Sequence, residues 1–254
     1  MYMTNIINLK INAVESKLDK LTLYEPIDTN ILNKLINSDL LKTVFHNPLC
    51  KGYENEKQHL LCYKKLIKNG RAEITYNKAK NIKYGRVSPH KGLGLFSIRR
   101  ELRHTLCKGK FTDIDIENCH PVLLLQICEA NNIDVKYLKE YVDNRDEHLK
   151  QVMDHYGVNR DSAKKLFIKL MYFGSFNTWF KEIVNPTNTD KLSFIHNFSL
   201  ELNSIGHIIL ENNSDSKKQV EKRKDVNNNL IGSVVSYYLQ EYENRILESL
   251  FILC

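Results

Sequence analysis

Asp113 and Asp115 alternate with apolar residues in the run Phe111-Thr-Asp113-Ile-Asp115-Ile-Glu117-Asn-Cys119-His120-Pro121. Alternation of period two is a strand pattern, and it puts both carboxylates on one face. Pro121 fits the first turn of a following helix, where its missing N–H has no partner to lose. Val122 to Ile127 make that helix apolar, hence buried. Carboxylates where a buried strand meets a buried helix must be paired, hydrogen-bonded or bound to a cation. Carboxylates holding Mg²⁺ or Mn²⁺ beside a phosphate would serve phosphoryl or nucleotidyl transfer. The simpler alternative is that Asp113, Asp115 and Glu117 only balance the positive end of the helix, with His120 as an ordinary cap.

Arg160 and Lys164 follow Asn159, a residue type that caps helices. Their spacing places both on one helix face, a turn from its start, where an anion such as a triphosphate is well received. Tyr172 lies two further turns along nearly the same face, and its ring is suited to stack on a base. A surface helix with ordinary basic residues and a core tyrosine fits the same pattern. Arg86, within Tyr84-Gly85-Arg86-Val87-Ser88, follows a glycine in a turn and is placed to hold a phosphate or enter a groove. Arg99, Arg100 and Arg103 add positive charge to the next segment. Gly92-x-Gly94 is too short to read as a nucleotide-binding loop.

The elements that must carry these groups are mostly helical. Leu and Ile recur at three- and four-residue spacing from Ile6 to Leu23, from Ile31 to Val44 and from Glu54 to Ile67, until Asn69-Gly70. Ala72 to Tyr76 is a short strand. Ile98 to Leu106 is a basic amphipathic helix closed by Gly109. Helices are further expected over Val135–Met153, Arg160–Tyr172, Leu192–Leu210 and Leu230–Leu253, with a polar, basic loop over Asn212–Asn229. The fold class is α+β, mainly helical with a small antiparallel sheet.

A chain of 254 residues, 42% hydrophobic, supports a real core, and its net charge of +7 favours nucleic acid or another polyanion. The cysteines are Cys50, Cys62, Cys107, Cys119, Cys128 and Cys254. They show neither a Cys-x-x-Cys pair nor zinc-like spacing to histidine, so they read as free thiols of a reducing compartment. With no signal peptide and no membrane span in the sequence, a soluble, intracellular protein is expected, without a membrane partner.

The order of the motifs adds to this reading. Ile74-Thr75-Tyr76-Asn77 leads into Gly85-Arg86-Val87-Ser88, then Ile98-Arg99-Arg100-Glu101-Leu102-Arg103, then Asp113-Ile-Asp115. Arg160, Lys164 and Tyr172 follow, and then Leu230-Ile-Gly232-Ser-Val-Val-Ser236. Taken together, roughly residues 70 to 250 resemble family A DNA polymerases and their single-subunit, phage-type RNA polymerase relatives. The likeness is greatest to the divergent forms of viruses, virophages and mobile elements.

The resemblance implies a palm and fingers architecture. Residues 1–70 would be a helical accessory or thumb-like region, 71–130 palm-like and 131–200 fingers-like, while 201–254 would form a basic loop and a long helix returning to the palm. It implies a template-directed nucleotidyltransferase, using nucleoside triphosphates on a DNA or RNA primer-template. Asp113 and Asp115 would be catalytic ligands of Mg²⁺ or Mn²⁺. Arg160 and Lys164 would grip the triphosphate, with Tyr172 near the nascent base pair. Arg86, Arg99 and Arg103 would touch nucleic acid, and a viral protein of this kind would work in host cytoplasm or nucleus.

His120 stands where DNA polymerases of the family carry a Glu that disfavours ribose. In Tyr172-Phe173-Gly174 the glycine comes one position late, so Phe173 with Lys165 is an alternative pairing. The family's second catalytic Asp lies in a His-Asp turn expected just where this sequence reaches Cys254. Three outcomes fit: a truncated enzyme, a second polypeptide supplying that strand, or a catalytically inactive polymerase-like nucleic-acid-binding protein. An unrelated helical nucleic-acid-binding or assembly protein is the remaining alternative.

Overall fold

The computed structural model describes residues 20–43, 53–78, 83–112, 114–183, 185–222 and 229–253. Its internal contacts divide the chain into two units, one within 15–81 and 87–115, the other taking 82–86 and 116–254.

The first unit holds β1 (Lys20–Pro26), α1 (Thr29–Asn37), α2 (Leu40–Thr43), α3 (Tyr53–Lys64), β2 (Ile67–Lys68), β3 (Arg71–Asn77), β4 (Ser88–Pro89) and α4 (Arg100–Cys107). β3 is the hub of an antiparallel sheet. β1 runs along its whole length, from Lys20 opposite Asn77 to Pro26 opposite Arg71. β2 pairs with its first residues and β4 with its last. Asn69 and Gly70 both adopt positive φ, 52° and 77°. That is what a tight hairpin between β2 and β3 requires. Ala72 and Ile74 are buried while Arg71 and Glu73 face water, so the strand has one core face. Leu32, Leu35 and Ile36 of α1, Leu60 and Tyr63 of α3, and Leu102 and Leu106 of α4 complete this core. The Asp28 carboxylate caps α1 by accepting from the N–H groups of Asn30 and Ile31 at 2.9 and 3.0 Å.

Within the same unit Glu25 is a buried carboxylate with three donors. Tyr63 Oη donates at 2.8 Å, Tyr76 Oη at 2.6 Å and the Leu95 N–H at 3.0 Å. Burial and this carboxylate together push both phenols well above the ordinary tyrosine range.

The second unit holds α5 (Cys119–Ala130), α6 (Tyr137–Asp143), α7 (Arg145–Tyr156), α8 (Arg160–Met171), α9 (Phe176–Phe180), α10 (Ser193–Asn212), α11 (Ser214–Glu221) and α12 (Leu230–Leu253). α8 buries Ala163, Leu166, Phe167, Leu170 and Met171, an i, i+3, i+4 stripe. α10 buries Ile195, Phe198, Leu202, Ile205 and Ile209, and α12 buries Val234, Val235, Tyr238 and Leu239. Asn159 caps α8 by accepting from the Ser162 N–H at 2.9 Å. The Glu201 carboxylate of α10 caps α6, accepting from the N–H groups of Lys136, Tyr137 and Leu138 at 2.7, 3.1 and 2.6 Å. Trp179 is fully buried, and its indole N–H donates to the Ser162 carbonyl at 2.9 Å.

The mainly helical fold with a small antiparallel sheet is as expected, and α8, α10 and α12 lie where the periodicity put them. Four expectations are corrected. Lys20 to Leu23 belongs to a strand, because Leu21 and Leu23 alternating with Thr22 and Tyr24 satisfy period two as well as a helical spacing; the remainder of Ile6–Leu23 lies outside the described residues. Ile114 to Ile116 form no regular structure, and Ile114 is 76% exposed. Among the described residues no strand pairs with them, and an unpaired strand has no ladder to hold it. Val135–Met153 is broken at Asn144 into two helices. Within the expected loop Asn212–Asn229, Ser214–Glu221 is a helix that buries Ser216 and Val220.

Candidate functional site

Three of the residues singled out in the sequence meet in the second unit. His120 is the second residue of α5, Tyr172 ends α8, and Arg86 lies on the short segment before the chain enters the first unit. A fourth residue joins them, Glu243 of α12. Arg86 donates to its carboxylate from Nε at 2.9 Å and from Nη2 at 3.1 Å. His120 Nε2 lies 3.3 Å from Glu243 Oε2, and His120 Nδ1 is hydrogen-bonded to the Tyr172 hydroxyl. The two rings meet edge to face, 5.9 Å between centroids. Cys119 completes the group: its Sγ, a His120 nitrogen and a Glu243 oxygen all lie within 4.8 Å of one another.

Local structure fixes each member. The Gln219 side chain accepts from the N–H groups of Lys83 and Tyr84 at 2.6 and 3.2 Å. Asn244 donates to the Gly85 carbonyl at 2.7 Å, and Gln240 accepts from the Arg86 N–H at 3.3 Å. Gly85 has φ +113°, and a Cβ there would stand 2.7 Å from the Tyr237 ring; only glycine suits both demands. Asn229 ties Tyr172 to α12, donating to the Tyr172 carbonyl at 2.7 Å while its own oxygen accepts from the Gly232 N–H at 2.9 Å.

The electrostatics follow from these contacts. The hydrogen bond to His120, and then Arg86, hold the Glu243 carboxyl below its usual range against the opposing effect of burial. Burial pushes the Tyr172 phenol up to about 12, with Arg86 opposing. Tyr172 is therefore neutral at any physiological pH, and its hydroxyl can donate to the imidazole or accept from it according to the tautomer.

Phe173, the alternative aromatic, is held at φ +61° and turned elsewhere. Its ring lies against Gly206 and lines a cleft of about 490 Å³ with Leu170, Ser199, Asn203 and Ile231.

The remaining candidates are divided between the two units. Arg160 is bound to Asp146, Nη2 to Oδ1 at 2.7 Å, and Lys164 acts on the same carboxylate, which Arg160 above all holds below its ordinary range. Arg160 is twelve positions before Tyr172, roughly 18 Å along a helix axis, so one small group cannot touch both side chains. Asp115 is exposed in the first unit, and Asp113 lies outside the described residues. Arg99 is corrected from an outward nucleic-acid contact to an inward ion pair, its Nε 2.6 Å from Glu56 Oε1 with both side chains largely buried.

Arg100, His104 and Lys108 instead form the exposed basic stripe of α4 and its C-cap, at four-residue spacing opposite buried Ile98, Leu102 and Leu106. Arg103 is half-buried beside them and Lys110 is exposed. Phe96 before the helix and Phe111 after it are 64% and 51% exposed.

Glu243, Gln240 and Asn244 were missed in the sequence. The signal was available: Gln240, Glu243 and Asn244 stand at i, i+3 and i+4, one polar face on a helix that begins and ends with apolar residues.

No protein-family model matches the chain, and no solved structure matches it. The chain is similar to a protein of Sputnik virophage named "Putative helicase V13", with 29% identity over 167 residues, 66% of this chain. It spans about a fifth of that protein's length, 21%. This overturns the expectation of a template-directed polymerase, active or inactive: the protein to which the chain is similar is named a helicase. Among the described residues no helix is long and apolar enough to cross a membrane.

Proposed function

We propose that the chain is a nucleic-acid-binding part of a helicase-type viral protein, and that the outer face of α4 holds the strand. The observation that carries this reading is the stripe Arg100, His104 and Lys108 with Phe96 and Phe111 exposed at its two ends. Cations at one-turn spacing follow a phosphate backbone, and exposed aromatic faces stack on unpaired bases without regard to sequence. The similarity to a helicase-named protein and the net charge of +7 support it. The ATP-driven step is not assigned to these residues: the sequence holds no Gly-x₄-Gly-Lys-Ser/Thr loop.

Fluorescence anisotropy of a labelled single strand, across a salt series, tests the reading. Affinity should fall steeply with salt, and Arg100→Ala with Lys108→Ala should reduce the logarithmic slope by about 0.7 per cation removed. Phe111→Ala should weaken single-strand binding by about 1–3 kcal/mol and leave duplex binding nearly unchanged. Binding that ignores salt, or an unaltered slope in the double variant, overturns it.

A further inference from the structure

We propose that Cys119, His120 and Glu243 form a three-ligand site for a thiophilic divalent cation of the zinc class, with its remaining position open to water. The site is confined to the second unit and does not depend on the nucleic-acid reading.

Three donor types converge there, a thiol, an imidazole and a carboxylate, all within 4.8 Å of one another. Ligands of tetrahedral zinc stand roughly 3.5 Å apart, and His120 Nε2 and Glu243 Oε2 are already 3.3 Å apart. A set of sulfur, nitrogen and oxygen donors selects zinc-like ions over Mg²⁺, which prefers oxygen alone. Three protein ligands are what open zinc sites use.

The surroundings favour the same use. Metal-binding imidazoles are oriented through their second nitrogen, and ligating carboxylates are themselves hydrogen-bonded. Tyr172 fills the first role, at His120 Nδ1, and Arg86 the second, forked on Glu243. All three ligand residues are partly buried, none fully, so the cation has a way in and the donors are still shielded. Cys119 and His120 open α5 and Glu243 sits on α12, so the ion would clip together two helices whose first residues, Cys119 and Leu230, lie 111 positions apart in the chain.

The proton balance is simple. Binding displaces the Cys119 thiol proton to solvent. The Nε2 proton that His120 gives to Glu243 in the metal-free arrangement moves by tautomer exchange to Nδ1, which then donates to the Tyr172 oxygen. No electron changes hands.

Cobalt substitution tests the site in the full chain. Co²⁺ added to chelator-stripped protein should give a near-ultraviolet thiolate-to-cobalt band saturating at one equivalent, removed by Zn²⁺ and unaffected by excess Mg²⁺. Cys119→Ser should abolish the band, while Cys62→Ser, at an exposed thiol of the other unit, should leave it. Tyr172→Phe should retain the band and weaken affinity about 10-fold or more. Circular dichroism of the apo variants confirms that each is folded. Absence of the band in the native chain overturns the proposal, as does a band that survives Cys119→Ser in folded protein.

Discussion

Arg86 reaches Glu243 across 157 positions of sequence and grips it with two hydrogen bonds, one to each carboxylate oxygen. The fork is a property of the planar guanidinium that an ammonium cannot copy. Arg86 is half-exposed while Glu243 is mostly buried, so the pair is partly shielded from solvent. Arg86→Lys is expected to cost about 1 kcal/mol. A double-mutant cycle with Glu243→Gln, run with chelator present, measures the coupling. Trp179, the single tryptophan of the chain, is buried in the same unit and reports unfolding in urea by its fluorescence. A coupling indistinguishable from zero would show that the fork contributes nothing.

Glu25 concerns the other unit. Its carboxylate takes hydrogen bonds from Tyr63, Tyr76 and the Leu95 N–H while buried. Glu25→Ala orphans these donors and leaves a void, so a loss of about 3 kcal/mol or more is expected. Glu25→Gln keeps the volume but turns one acceptor into a donor, and should lose less. Denaturant midpoints read by circular dichroism rank the two; equal losses would argue that volume alone matters.

His148 gives a pH dependence. It is buried and stacked on Phe194, 3.8 Å between centroids. Burial holds its imidazole below the ordinary value of 6.5, although Glu140 pulls the other way. The unfolded chain therefore takes up this proton more readily. Its contribution to stability is complete above about 6.5 and is lost as pH falls through that value toward the lower folded one. His148→Phe should flatten the urea midpoint across that window, and a slope identical to the parent's would assign it to other groups.

Gly85→Ala should destabilise by about 2 kcal/mol or more, since it combines a positive φ with the Tyr237 ring. Gly92→Ala makes the control: Gly92 has φ +67° but nothing within 4 Å, so it isolates the backbone cost. Thermal melts of the two separate strain from collision.

The long periodic helices were legible because their apolar stripes admit a single reading over many residues; α8 with its Asn159 cap and α12 are the clearest cases. Lys20–Leu23 was not, since four residues fit both periods and the partner strand β3 decides between them. The alternation at Asp113 and Asp115 was misleading for a related reason: a pattern of two requires a ladder, and sequence does not say whether one is there. Arg86, His120 and Tyr172 were each visible, but not their convergence. Glu243 brings them together from a helix whose apolar periodicity does not say which partners its polar residues meet. Arg99 and Arg100 are adjacent and chemically alike, and only packing sends one inward to Glu56 and the other out.

The segment from Lys83 to Arg86 has a consequence for the order of synthesis. Tyr84 is buried, yet its backbone partner Gln219 lies 135 positions later. On a ribosome that interval lasts on the order of ten seconds. Throughout it the nascent polypeptide carries an aromatic residue and a glycine turn with nowhere to dock, so this unit must close by a late, nonlocal step rather than fold progressively from its leading edge.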